Sequence, residues 1–179
     1  MIDPLVIAVI AGAFGLILGS FLNVCTLRWP QDESVVFPGS HCTSCGTDIH
    51  WYDNIPVPSW LFLRGRCRVC KEQILIQYPL VELGTGLVWA GVFAYGGLSG
   101  EAFRGAVLLT MLFGISLSDA RFYIIPDQFS LGGLVIGGGL SFLPGGIEPF
   151  QALIGAVIGF ALLKTVAIGG KWMFKKDAM

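Results

Sequence analysis

Residues 4–27 read PLVIAVIAGAFGLILGSFLNVCTL and contain no charged side chain. A helix needs about 20 apolar residues to cross the hydrocarbon core of a bilayer, and this stretch is long enough. In hydrocarbon every backbone N–H and C=O must be hydrogen-bonded within the segment, so such a stretch is predicted to be helical. No basic region precedes it and no small-residue cleavage site follows it. We therefore interpret it as a retained membrane anchor rather than a signal peptide.

The rest of the chain repeats this pattern. Charged residues make up 13% of the sequence, against about a quarter in an ordinary soluble domain, and the mean hydropathy is +0.74. The third span is short unless Ala102 and Phe103 join it with Arg104 at the interface, and the last contains Lys164, which we expect to snorkel. The composition predicts an all-α polytopic membrane protein with about five transmembrane helices. The four further apolar stretches are residues 83–100, 105–118, 128–146 and 149–170.

The basic residues are distributed unevenly between the two sides of these spans. The side that follows spans one, three and five holds Arg28, Arg64, Arg66, Arg68, Lys71, Arg121, Lys171, Lys175 and Lys176. The other side holds Arg104 beside Asp3, Glu101 and Glu148. Because loops rich in Lys and Arg stay in the cytoplasm, we expect the N-terminus outside and the C-terminus inside.

One substantial hydrophilic region interrupts the apolar pattern and divides the chain into three parts. They are a first transmembrane helix (1–27), a cytoplasmic Cys-containing loop (28–79) and a bundle of further transmembrane helices (80–179). The loop is too short for an independent hydrophobic core and needs a staple. The spans contain Gly15-x-x-x-Gly19 and Gly155-x-x-x-Gly159. These indicate either close helix packing or the general abundance of Gly in membrane helices, and we favour the latter. No internal repeat is evident.

The loop carries Cys42-Thr43-Ser44-Cys45 and Cys67-Arg68-Val69-Cys70, two C-x-x-C pairs separated by 21 residues. Four thiolates from two tight turns complete a tetrahedral Zn²⁺ site, and Gly46 suits a left-handed turn after the first pair. A reducing cytoplasm disfavours disulfides, and a redox motif would need one pair beside a βαβ pattern. We therefore predict structural zinc. His41 and His50 flank the site but are not needed as ligands, and Cys25 in the first span is expected to be a small buried apolar residue.

Three acids lie at or near the predicted membrane boundaries. Asp119 ends the third span, Asp127 opens the fourth and Glu82 begins the second. An ionisable group at this depth is costly and is by default a candidate for function. Structural explanations compete: an ion pair of Asp119 with Arg121, a helix cap at Asp127 and a hydrogen bond within the bundle for Glu82. Two carboxylates that share a proton can activate water, and Asp119 is the strongest candidate, but the residues alone leave the reaction undecided.

Several short motifs occur in a fixed order along the chain. In sequence they are Gly19-Ser20-Phe21-Leu22-Asn23-Val24 with Arg28, the ten residues Trp51–Trp60 between the Cys pairs, Leu63-Arg64-Gly65-Arg66-Cys67, Tyr78-Pro79-Leu80-Val81-Glu82-Leu83, and Asp119 followed by Ile125-Pro126-Asp127. Each motif alone is weak, but their joint occurrence in this order is specific. In this combination the chain resembles the bacterial type IV prepilin peptidase family, also called leader peptidase/N-methyltransferase.

The resemblance implies a multi-pass aspartic endopeptidase of the bacterial inner membrane, serving type IV pili and protein secretion. Such an enzyme cleaves the leader from prepilins or pseudopilins at the cytoplasmic face. Its expected surroundings are those substrates and membrane lipid, without nucleic acid. Many members also methylate the new N-terminus with S-adenosylmethionine. Carried over by position, Asp119 is the first catalytic aspartate, Asp127 and Glu82 are supporting residues, and Cys42, Cys45, Cys67 and Cys70 bind zinc. No recognisable cofactor motif places the methyl-transfer site, for which the Cys loop with Gly65 and the neighbouring Glu82 are regional candidates.

The chain departs from the family pattern in two places. Thr43 stands where many relatives have Pro, a minor change. The family's second catalytic aspartate, in a Gly-x-Gly-Asp motif, has no counterpart before Lys175-Lys176-Asp177-Ala178-Met179, and Asp177 lacks the flanking glycines. We therefore expect a truncated chain that is inactive as a peptidase by itself and that regains cleavage with the downstream sequence. The alternatives are a methyltransferase remnant or a zinc-stapled membrane scaffold.

Overall fold

The computed structural model describes residues 3–174, with side chains as far as residue 169. These residues form helices joined by loops, with no β-strand beyond two isolated bridges, so the all-α prediction is confirmed. Two 3₁₀ turns, Trp29–Gln31 and Trp51–Asn54, lie in the loop after α1. The α-helices are α1 (Pro4–Arg28), α2 (Pro58–Phe62), α3 (Gln77–Gly96), α4 (Gly100–Phe122), α5 (Asp127–Leu140) and α6 (Pro149–Phe174).

The chain divides into two compact units, Met1–Gly133 and Leu134–Met179. The first contains the loop with the cysteines, α1 to α4 and the first turns of α5. The second contains the remainder of α5 and all of α6. Three helical segments are long and apolar enough to cross a bilayer: Pro4–Gln31 and Gly100–Phe122 in the first unit and Pro149–Gly169 in the second. The protein is therefore a membrane protein.

The five predicted spans correspond to α1, α3, α4, α5 and α6, with shifted ends. The third span is longer than its apolar core because Ser99 caps α4, its hydroxyl accepting from the Ala102 N–H at 3.1 Å. The fourth is shorter, since α5 has 14 residues and gives way to the turn-rich segment after Leu140. At 1.5 Å per residue α5 is about 21 Å long, less than the roughly 30 Å of a hydrocarbon core.

The packing of α1 against α3 organises the first unit. Gly12 lies against Ala90, Gly15 against Trp89 and Gly19 against Glu82, so the two helices run in opposite directions. A Cβ added at Gly19 would lie 2.7 Å from Glu82 Cα, and one added at Gly15 would lie 2.8 Å from Thr85 O. Here glycine allows two backbones to approach closely, so our preference for a merely compositional role of Gly15 and Gly19 was wrong.

The interior of this bundle contains polar as well as apolar side chains, and many large apolar side chains lie on its surface. Asn23, Thr26, Glu82, Thr85 and Ser118 are all buried. Large apolar side chains such as Ile10, Ile17 and Leu87 are more than half exposed on α1 and α3. An apolar surface around an interior that includes polar groups is typical of helices solvated by lipid, which need not hide apolar side chains.

Helix α4 packs against this pair along its length. The Trp89 indole N–H donates to the Thr110 hydroxyl at 2.9 Å, which in turn donates to the Ala106 carbonyl. Near the other end of α4, Gly114 makes room for Leu22 and Phe129, whose atoms lie within 2.7 Å of where its Cβ would stand. These contacts bring the C-terminal end of α4, with Asp119, to the same end of the bundle as the end of α1 and the start of α3.

Replacing Gly19 with Ala should destabilise the bundle, because the new methyl group meets backbone atoms that cannot rotate away. Overpacking of this kind costs about 1–3 kcal/mol. Gly91→Ala is the matched control, since a Cβ at Gly91 meets no atom within 4 Å. Thermal unfolding in detergent micelles measures both variants. Equal stability of the two would contradict a packing role for Gly19.

Candidate metal centre and carboxylates of the first unit

The four predicted cysteines come together in the loop. The Sγ atoms of Cys42, Cys45, Cys67 and Cys70 all lie within 4.8 Å of one another, and those of Cys42 and Cys70 are 3.7 Å apart. Thiolates bound to one tetrahedral zinc at about 2.3 Å would be separated by about 3.8 Å. All four are free cysteines at a spacing too long for disulfides. The cluster therefore has the donors and the size to hold one metal ion.

Each C-x-x-C pair sits in a short hairpin, and the two hairpins repeat each other with an offset of 25 residues. In the first, Cys42 N–H donates to Thr47 O at 2.9 Å and Gly46 N–H to Cys42 O at 2.8 Å. In the second, Cys67 N–H donates to Glu72 O and Lys71 N–H to Cys67 O. The isolated bridges His41–Asp48 and Arg66–Gln73 are equivalent too. The chain thus contains a structural repeat that the sequence analysis missed.

The left-handed turn expected at Gly46 is present, with φ of 71°. Its counterpart in the second hairpin is Lys71, with φ of 62°. A non-glycine residue in this region costs about 1–2 kcal/mol. The offset of 25 residues also relates Ile49 to Ile74. The equal spacing of two cysteines and an isoleucine in each hairpin was the sequence signal that could have revealed the repeat.

Electrostatics within the cluster favour a bound cation. The Thr47 hydroxyl, helped by its backbone N–H, lowers the pKa of Cys45 to about 6. Backbone N–H groups of Cys70 and Val69 likewise lower the pKa of Cys67. At Cys70 a backbone hydrogen bond at Glu72 acts in the same direction, but lost hydration and the neighbouring sulfurs outweigh it and raise the pKa to about 12. Four thiolates cannot share this volume without a positive charge between them.

An ion pair connects the segment between the Cys pairs to the second hairpin. Arg68 donates to both carboxylate oxygens of Asp53, from Nε at 2.6 Å and from Nη2 at 2.5 Å, and its guanidinium lies 5.7 Å from the Tyr52 ring centroid. These hydrogen bonds hold the pKa of Asp53 below its ordinary value of 3.8. The stabilisation is therefore present above about pH 4 and declines as pH falls through the lowered pKa.

Glu82 connects the loop to the helices. Its Oε2 accepts the backbone N–H of Val57 at 2.7 Å, and the Ser20 side chain interacts with the same carboxylate. Val57 has φ of 64° and ψ of −61°, a strained γ-turn geometry for a β-branched residue. The alternative of a hydrogen-bonding role for Glu82 in the bundle is thus realised, with a loop backbone as its partner.

The two membrane-face aspartates are exposed. Asp119 lies in the last turn of α4, and among the described residues its carboxylate has no ion-pair partner. The expected structural pairing with Arg121 is not formed, because that guanidinium donates to Gln77 Oε1 on α3. Asp127 is the first residue of α5, where its charge faces the positive end of the helix dipole.

The remaining candidate side chains have other contacts. His41 Nδ1 lies 3.0 Å from Gly39 O, and His50 stacks on Tyr52. Cys25 is 1% exposed among apolar side chains, as expected. Lys164 lies over the Phe160 ring at 5.6 Å. Asp177 lies outside the described residues.

Two polar residues at the end of α1 make contacts that the sequence analysis did not predict. Arg28 donates to three loop carbonyls, those of Ser34, Pro38 and Gly39, at 2.7–3.2 Å. Asn23 Nδ2 donates to Tyr78 O at 3.1 Å, at the start of α3. Both residues belong to one of the ordered motifs, so that motif is explained by anchorage of the loop rather than by catalysis.

Asp53→Asn should speed the release of metal from the cluster to a chelator at neutral pH, because it breaks the bidentate pair that braces the second hairpin. Arg68→Gln should have a similar effect, and the double variant should add little to either single one. Asp48→Asn is the control, an exposed acid of the same loop outside this pair. Additive effects of the two changes would show that the pair does not brace the site.

Comparison with known proteins gives two family matches in tandem. Residues 13–95 match the Bacterial Peptidase A24 N-terminal domain, and residues 106–179 match the Type IV leader peptidase family. No solved structure shows significant similarity to the chain.

Curated relatives carry the name prepilin leader peptidase/N-methyltransferase. The chain is 39% identical to the one from Myxococcus xanthus over 173 residues, which are 96% of this chain and 51% of the relative. It is 35% identical to the Pseudomonas putida protein, covering 97% of the chain and 66% of the relative, and 35% identical to the Klebsiella pneumoniae protein, covering 90% and 72%. The chain thus spans about half to two thirds of the length of the first two. With these matches along almost its whole length, the chain belongs to the prepilin leader peptidase/N-methyltransferase family.

Proposed function

We propose that the protein is an aspartic endopeptidase that removes the leader peptide of type IV prepilins or pseudopilins. The observation that carries the proposal is the similarity to relatives of that name over more than nine-tenths of the chain. The position of Asp119 supports it, since an exposed carboxylate at the end of α4 is accessible to a peptide at the membrane face. The helical fold by itself would not support this assignment, because helical bundles host many activities.

In the proposed reaction Asp119 is one carboxylate of a pair that shares a proton. The ionised member takes a proton from water, which attacks the scissile carbonyl, and the protonated member donates to the carbonyl oxygen. The family resemblance assigns the second carboxylate to a Gly-x-Gly-Asp motif that the given sequence does not contain. We propose supporting roles for Asp127 at the start of α5 and for Glu82, which fixes the loop beside the site.

We propose that the cysteine cluster binds zinc and that the metal is structural. Four thiolates fill a tetrahedral site and leave no open position for water, so zinc would fold the loop rather than catalyse. The proposed organisation keeps the three parts 1–27, 28–79 and 80–179, with the metal loop placed between the first helix and the peptidase helices. This loop is a regional candidate for methyl transfer.

We also propose that the protein methylates the newly exposed N-terminus with S-adenosylmethionine, which the N-methyltransferase part of the relatives' name supports. Its location would be the inner membrane, with the N-terminus outside and the cysteine loop in the cytoplasm. The basic residues of that loop favour this orientation. Mass spectrometry of the processed pilin N-terminus distinguishes cleavage alone from cleavage with methylation.

The purified protein should contain about one zinc per chain, and Cys42→Ser or Cys67→Ser should lose it and unfold the loop. Cys25→Ala provides the matched control, because the fifth cysteine is buried among apolar side chains away from the cluster. Elemental analysis measures the metal and limited proteolysis measures loop folding. Full zinc content in the Cys42→Ser protein would refute the proposed ligand set.

Asp119→Asn should abolish leader cleavage, with a loss of at least about 100-fold, because the pair can no longer activate water. The assay uses the protein encoded by the complete gene, including any sequence downstream of residue 179. Glu101→Gln changes an exposed acid at the opposite end of α4 and should retain activity. A gel-shift assay with a prepilin substrate gives the rate. Zinc content and thermal stability should be unchanged in both variants, whereas a scaffold without catalysis predicts no effect of Asp119→Asn on cleavage. Undiminished cleavage by that variant would exclude Asp119 as a catalytic residue.

A further inference from the structure

The segment that contains α2 is held beside the helices, about two turns before the C-terminal end of α1. Its Val57 N–H is bonded to Glu82, which lies five residues into α3 and packs on Gly19. Ser20, which interacts with the same carboxylate, precedes the last residue of α1, Arg28, by eight residues. At 1.5 Å per residue this is about 12 Å along the helix. The start of α2 therefore lies beside the last turns of the apolar stretch of α1 rather than beyond the end of that helix.

The side chains that follow this tether are apolar and unusually exposed. Phe62 is 88% exposed and Leu61 is 61% exposed, at the end of α2. Trp60, by contrast, is turned inward, because its indole covers Gly65 and donates to Ile74 O at 3.2 Å. The backbone is thus fixed on one side by Glu82 and on the other by the second hairpin, and it presents Leu61 and Phe62 outward. Rigid exposure of two large apolar groups at this depth fits the boundary between headgroups and acyl chains.

Three cations adjoin this apolar tip. Arg64, Arg66 and Lys71 line an open cavity of about 450 Å³ together with Leu63 and Cys67. Among the described residues of the loop, the ion pair with a carboxylate is the one between Arg68 and Asp53, and none of these three cations takes part in it. Glu72 adjoins Lys71 in the chain, which leaves the patch with an excess of two positive charges. Cations of this kind attract anionic headgroups.

We propose that Leu61, Phe62, Arg64, Arg66 and Lys71 form a docking surface for anionic phospholipid of the bilayer that the helices span. Leu61 and Phe62 insert at the interface, and the cations bind headgroup phosphates in the cavity beside Cys67. Docking holds the cysteine loop down on the membrane face at which α4 ends. An aromatic and aliphatic tip beside unpaired cations matches a lipid surface better than a soluble anion, which would have no use for the apolar groups.

The test compares hydrogen exchange of residues 59–66 in the full protein, reconstituted in nanodiscs of phosphatidylcholine alone or with phosphatidylglycerol. Anionic lipid should slow exchange of this segment, since bound headgroups oppose its local opening. Arg64→Gln with Arg66→Gln should reduce that slowing by about thirtyfold, at about 1 kcal/mol for each of the two cations. Arg64→Lys with Arg66→Lys should retain it, because the charges remain.

Apolar insertion is tested by Phe62→Ser, which should speed exchange in both lipid compositions. Phe37→Ser is its matched control, because Phe37 is 78% exposed in the same loop but follows Asp32 and Glu33 rather than arginines. Equal exchange of the wild-type segment in neutral and anionic nanodiscs would overturn the proposal. It would also be overturned if soluble glycerol phosphate in neutral nanodiscs reproduced the effect, or if protection depended on protein self-association instead of lipid.

Discussion

The close contact of Gly19 with Glu82 is the constraint on which the first unit depends. It brings the backbones of α1 and α3 together without side chains between them, and it puts a carboxylate at the edge of the contact. A buried carboxylate must find hydrogen-bond donors, and it finds them in the Ser20 side chain and the Val57 N–H. The packing of α1 on α3 and the position of the loop therefore depend on each other through Glu82. The loop cannot be lifted from the bundle without leaving Glu82 unsatisfied.

The same logic governs the rest of the loop, which has no hydrophobic core of its own. Arg28 binds three carbonyls near the end of α1, Asp53 and Arg68 join the segment between the Cys pairs to the second hairpin, and Trp60 covers Gly65. Each of these contacts contributes little by itself. Together with the metal that we propose for the four thiolates, they would replace the core that so short a loop does not build. The cysteine cluster thus lies within a set of hydrogen-bonded anchors.

This arrangement also explains why the ordered sequence motifs do not all mark catalysis. The motif at the end of α1 supplies Gly19 and Ser20 for packing, Asn23 for the start of α3 and Arg28 for the loop. Glu82 does the same from α3. Asp119 differs from these residues, because it is exposed and the described residues give it no ion-pair partner. The proposed role of Asp119 therefore rests on its accessibility at the end of α4 and not on a contribution to folding.

The sequence by itself determined the membrane character, the helical fold class and the four thiols that cluster in the loop. Each follows from local composition or spacing: long uncharged stretches must be helical in lipid, and paired C-x-x-C motifs can converge on one ion. Tertiary structure alone decided that Gly15 and Gly19 are contact residues, whereas Gly91 in α3 is not, since the sequence does not show which face of a helix meets a neighbour. It also decided the partners of Glu82, Asp53 and Arg121, which lie 15 to 44 residues away in the chain. Hydrogen bonds over such separations depend on how the chain folds back, and no local pattern of residues encodes that.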